Sequence, residues 1–156
     1  MKKLRIYVDT SVIGGCFDPE FRLWSEALMV DFRERRYTPV ISDVTAMEIA
    51  PAPEFVKSLH QDLLGLPAEL IQVDADAISL VQRYTERSVL GQRFLNDMLH
   101  IALATIAEVD VLVSWNFRHI VRLDKIRLFN AVNLEQGYKS LTIYSPREVI
   151  SHGKEE

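Results

Sequence analysis

With 156 residues, 48% hydrophobic and 26% charged, the chain can bury one sizeable core and has the composition of an ordinary globule. A net charge of −4 argues against a surface built for broad nucleic-acid binding, but it leaves room for a local basic rim. The single cysteine, Cys16, excludes an intrachain disulfide framework, and no apolar run reaches membrane-spanning length. The apolar stretch after Lys3 is broken by Arg5 and Asp9, too early for a secretion signal. The expectation is a cytoplasmic protein with one domain over residues 1–150 and a polar tail over 151–156.

Ile6-Tyr7-Val8 is apolar and β-branched, as in a strand buried on both faces, and it stops on Asp9-Thr10-Ser11. Val12–Cys16 then begins a helical turn for which Thr10 or Ser11 can serve as N-cap. Phe21, Trp24, Leu28 and Phe32 recur at helical spacing; their exposed members suit either the core or a dimer contact. Tyr37–Ile41 reads as a second strand, and Ser42 can cap a helix from Asp43 to about Ala50, where Pro51 and Pro53 stop it. A helix over Glu54–Leu64, a strand at Leu70–Val73 and a helix over Asp74–Ser88 follow. Beyond Gly91 an apolar helix runs to about Ala107, and Val109–Val113 is a clear strand. Phe117–Gln136 holds one or two helices ended by Gly137, Thr142–Tyr144 is a last strand, and a short helix starts at Arg147. Strands alternating with helices predict an α/β fold in three α/β/α layers, with a central parallel sheet of about five strands.

Four polar residues stand out. Asp9 ends a strand where open α/β sheets bind ligands, although an acid there also suits a helix N-cap. Asp97 shares a helical stripe with Phe94, Ile101 and Ala104, where a carboxylate needs an ion, a cationic partner or the helix dipole. Glu48 lies on the helix leaving the second strand, and Asn116 follows the Val111–Val113 strand, where it also suits a turn. Gathered at one crevice, these oxygens suit Mg2+ or Mn2+. Zinc is not expected, because the histidines and Cys16 show no paired ligand spacing.

Val8-Asp9-Thr10-Ser11-Val12, Ser42–Glu48, Asn96–Ala102 and Leu112–Asn116 together resemble the four ordered motifs of PIN domains, from Ile6 to about Pro146. The resemblance implies a metal-dependent ribonuclease of the VapC toxin type, with a small antitoxin that wraps it and frequent assembly as a homodimer. By position, Asp9, Glu48 and Asp97 match the metal-binding acids and Ser114 a hydroxyl near the site. The departure is Asn116, where most such domains carry Asp; the lost charge weakens a second metal more than a first.

The expected chemistry is phosphodiester hydrolysis, with Asp9 and Asp97 anchoring the cation, Glu48 binding it or orienting water, and Ser114 and Asn116 positioning water or phosphate. Arg118, His119, Arg122, Lys125 and Arg127 supply a basic rim for RNA or form an ordinary solvated face. Trp115 is read as core in preference to a base-stacking platform, and His100 as structural. A phosphotransferase of the haloacid-dehalogenase kind would need an acid where Ser11 stands. The alternative from another class is a PIN-like module that binds RNA or protein without cutting, for which Asn116 is the support.

Overall fold

Five strands organise the computed structural model, which describes residues 2–151: β1 (Leu4–Val8), β2 (Tyr37–Ser42), β3 (Glu69–Ile71), β4 (Val111–Val113) and β5 (Ile143–Tyr144). All neighbours are parallel, in the order β3-β2-β1-β4-β5. The helices are α1 (Thr10–Gly15), α2 (Arg22–Arg33), α3 (Asp43–Ile49), α4 (Glu54–Gly65), α5 (Ala75–Glu86), α6 (Leu95–Ile106) and α7 (Leu123–Glu135). Residues 152–156, most of the predicted tail, lie outside the described residues; Ser151 is hydrogen-bonded through its N–H and hydroxyl to the buried Asp31 carboxylate.

Strand side chains alternate between faces, and β1 shows why this gives three layers. Tyr7 packs with Val40, Leu112 and the inner sides of α5, α6 and α7, while Ile6 and Val8 pack with Ile41, Val113 and α1, α2 and α4. The helix α6 is buried continuously from Met98 to Thr105, as a helix apolar on all sides must be. Arg5 closes the other end of the sheet: its guanidinium donates to Glu69 and to the Ala107 and Glu108 carbonyls. No helix among the described residues is long and apolar enough to cross a membrane.

Two expected caps are corrected. Thr10 and Ser11 lie inside α1, whose N-cap position is Asp9, and Ser42 stands at the N-cap of α3 without capping it. In each case the hydroxyl turns to another side chain instead: Thr10 to Glu48, Ser11 to Asp9 and Ser42 to Tyr7. Gly137 ends α7 as expected, at φ +88°.

From β1 the chain moves outward to β2 and β3, then returns to build β4 and β5 on the other side. The order therefore reverses between β1 and β4, and the crevice at their C-terminal ends is the topological switch point.

Candidate metal centre

Asp9 leaves β1 at that crevice, its N–H donating to the Val113 carbonyl at 3.1 Å, which sets it beside Ser114. The N-cap alternative fails for its side chain. The carboxylate makes no capping bond; its Oδ2 accepts from Ser11 Oγ at 2.6 Å and Ser114 Oγ at 2.7 Å. Ser114 in turn accepts from the Asn116 N–H, and Ser11 from the Trp115 N–H, so the turn after β4 is clasped to the start of α1. Asp9 is only 5% exposed.

Glu48 reaches the same place from α3. Its Oε1 accepts from Thr10 Oγ1 at 2.7 Å and lies 2.6 Å from His100 Nε2, which is 3.3 Å from Asp9 Oδ1. Behind the ring, His100 Nδ1 is 2.6 Å from the Tyr7 hydroxyl, which is 2.7 Å from Ser42 Oγ. Among the described residues, Asp9, Glu48 and His100 each present a ligand atom within 4.8 Å of the others.

Asp97 comes from the first turn of α6, half-buried at the mouth. Burial, then the charge of Asp9 and that of Glu48, push its pKa up to about 6, against the opposing pull of His100 and a hydrogen bond from Asn116. Burial alone would lower the pKa of His100, but the charges of Asp9, Glu48 and Asp97 and the Glu48 bond raise it. For Glu48 burial pulls upward, and the His100 bond and charge, with the Thr10 and Asn96 bonds, bring it below the ordinary value. These opposing shifts mark a crowded negative site with an imidazole set among its acids.

The structure thus brings Asp9, Glu48, Asp97, Ser114 and Asn116 to one crevice. Asn116 is partly committed, since its Oδ1 accepts from the Arg118 and His119 N–H groups at 3.1 and 2.9 Å. Sequence reasoning missed His100 as a member of the site, although it stands three residues after Asp97 and so shares its side of α6. Tyr7 and Ser42 carried no comparable signal.

At the rim, Arg118, Lys125 and Arg122 all act on His119, as does Arg93, which was not foreseen; Arg127 is not among them. The His119 ring lies 4.0 Å from that of Phe94, with the Arg93 guanidinium 4.7 Å from the Phe94 centroid. Trp115 is core, as expected: it is 5% exposed, stacked on Phe21 at 4.3 Å, and its Nε1 donates to Ser25.

No protein-family model and no curated protein matches the sequence. Solved structures do match. A chain of VapBC2 from Rickettsia felis, bound to a DNA fragment from its promoter, aligns with a TM-score of 0.54 and 15% identity, covering 91% of this chain and 98% of that one. DNA-bound VapBC from Salmonella typhimurium gives 0.57 and 15% over 92% and 98%, and FitAcB from Neisseria gonorrhoeae 0.58 and 13% over 92% and 99%. The chain has a PIN-like fold.

In this PIN-like fold the four motifs read from sequence all open on the switch-point end of the sheet: at β1–α1, β2–α3, the start of α6 and the end of β4. The donor set fits a divalent cation. Carboxylates and an imidazole converge within a few ångströms, and their mutual charges already strain the titration of Asp97.

Proposed function

We propose that this chain is a divalent-metal-dependent endoribonuclease and the toxin of a toxin–antitoxin pair. The observation that carries the reading is the meeting of Asp9 and Glu48 at the switch point of a PIN-like sheet, with Asp97 near enough for their charges to raise its pKa. Asp9, Glu48 and Asp97 would hold Mg2+ or Mn2+. When bound, the cation supplies an acidified water and offsets charge on the phosphoryl oxygens. Ser11 and Ser114 lock the Asp9 carboxylate, and Thr10 locks that of Glu48, so neither needs to reorganise during the reaction. Asn116 tethers Asp97 at the mouth without adding a fourth negative charge where phosphate must enter. Arg93 and Arg118 supply positive potential beside the acids for an RNA strand.

A protein partner fits the same reading, since the structural neighbours are two-component complexes. We extend to this chain a small antitoxin partner and assembly as a homodimer. Cleavage of a mixed RNA pool with Mg2+, Mn2+ or EDTA tests the activity. We expect cutting with either ion, none in EDTA, and none by Asp9→Asn; undiminished cutting by Asp9→Asn would refute the assignment.

One observation favours the non-catalytic alternative. His100 and the Asn116 amide already satisfy part of the acidic cluster from within. RNA binding that persists in EDTA, with no cleavage in Mn2+, would select it.

A further inference from the structure

We propose that His100 Nε2 is itself a ligand of the bound cation, making the centre a mixed nitrogen–oxygen site selective for Mn2+ or a similar transition ion over Mg2+. This rests on the metal-centre reading above and goes beyond the acids that the family resemblance assigns.

The first argument is distance. Two ligand atoms about 2.1 Å from one ion and at right angles to each other sit about 3 Å apart. His100 Nε2 lies 2.6 Å from Glu48 Oε1 and 3.3 Å from Asp9 Oδ1, so it stands close to ligand spacing from each, and the three atoms lie within 4.8 Å of one another. Asp97, the acid that sequence pairs with Asp9, is not in that close group. The second argument is the other face of the ring. A metal-bound histidine needs an acceptor for its remaining N–H, and Tyr7 Oη is placed to be one at Nδ1, passing its own proton toward Ser42 Oγ. With Nδ1 donating to Tyr7, the Nε2 lone pair would be the one offered to an ion. The third is burial. His100 is 0% exposed, so its ring cannot swing out to let an ion sit among oxygens alone. A nitrogen–metal bond would then take the place of the Nε2–Glu48 hydrogen bond, any proton on Nε2 going to solvent. Imidazole best suits the later transition ions and is accepted by Mn2+ beside its oxygen ligands, whereas Mg2+ keeps to oxygen.

The test is pulsed electron paramagnetic resonance of the Mn2+-loaded wild-type protein, with calorimetry of Mn2+ and Mg2+ binding. We expect Mn2+ to bind with a directly coordinated imidazole nitrogen, whose coupling converts when the histidines are labelled with 15N. The coupling should persist in His119→Ala and vanish in His100→Gln. Tyr7→Phe, which keeps the ring and removes the acceptor, should weaken Mn2+ binding about tenfold and leave Mg2+ binding nearly unchanged. Mn2+ binding without nitrogen coupling would overturn the proposal while leaving the metal centre standing. Absence of Mn2+ binding would remove both.

Discussion

Burial, and after it the charges of Asp9 and Glu48, raise the pKa of Asp97, and this shapes the pH response of the metal-free protein. Its folded pKa of about 6 stands above the ordinary 3.8, so between those values the native state holds a proton that the unfolded chain has lost. Stability therefore falls as pH rises through that window and stays reduced above it. His100, also raised, has the same sign: its contribution is full below 6.5 and is lost as pH climbs through its folded pKa. Glu48 is lowered and acts oppositely, so its contribution is lost as pH falls below 4.5. In EDTA the melting temperature should peak on the acid side, between the Glu48 and Asp97 transitions, and decline toward about pH 8. Asp97→Asn should raise metal-free stability by about 1 kcal/mol at neutral pH, after allowance for solvent screening at a half-exposed site, and by nothing near pH 3.5. Thermal melts across pH check both; a melting temperature that rises steadily to pH 8 would contradict the assignment of Asp97 and His100.

The short helix α1 carries Ser11 against Asp9 and Thr10 against Glu48, so its seating decides whether the acids are aimed. Gly15 is what lets it seat. A Cβ there would stand 2.6 Å from Ser25 Oγ and 2.7 Å from Trp115 Nε1, and those two atoms are already bonded to each other. Ser25 also donates to the Val12 carbonyl, so it has little freedom to yield. Gly15→Ala should cost about 2 kcal/mol in urea unfolding and lower activity by displacing the turn after β4. Gly14, one residue earlier, has nothing within 4 Å of an added Cβ. Gly14→Ala should stabilise by about 0.5 kcal/mol through helix propensity alone. Equal effects of the two substitutions would show that α1 is not packed this closely.

Over the whole molecule, a net charge of −4 coexists with a basic arc of Arg93, Arg118, Arg122 and Lys125 gathered around His119. Some of that arc is occupied: Arg122 pairs with Asp124 at 2.8 Å, and Lys125 donates to the Val89 carbonyl. Arg93 and Arg118 are therefore the stronger candidates for phosphate contacts. In EDTA, single-stranded RNA binding followed by fluorescence anisotropy should weaken in Arg93→Ala and in Arg118→Ala. Each should also reduce the slope of log affinity against log salt by about 0.7. Phe94→Ala should weaken binding with the slope unchanged, because a stacked ring contributes no counterion release. Unaltered slopes in both arginine variants would place the RNA path elsewhere.

By itself the sequence determined the layers and the candidate acids. Periodicity and hydrophobicity are local properties, so the run Ile6-Tyr7-Val8, the apolar α6 and the stop at Gly137 were legible residue by residue. Only the ends shifted. Val109 and Asp110 fall outside β4, whose approach is held by Asp110 accepting the Arg5 N–H, and Val73 leaves β3 to meet Asp43. The tertiary structure decided which side chains share the crevice and what each does there. Thr10, Ser11 and Ser42 look like helix caps in sequence because capping is the commonest local use of a hydroxyl. Thr10 and Ser42 are drawn away by partners far along the chain, and Ser11 by nearby Asp9 together with the Trp115 N–H. His100 likewise has a setting, between Asp9, Glu48 and Tyr7, that exists only once β1, α3 and α6 are packed together. Electrostatic interactions depend on distance in space, and no local pattern in a chain encodes the distance between residues that meet only through the fold.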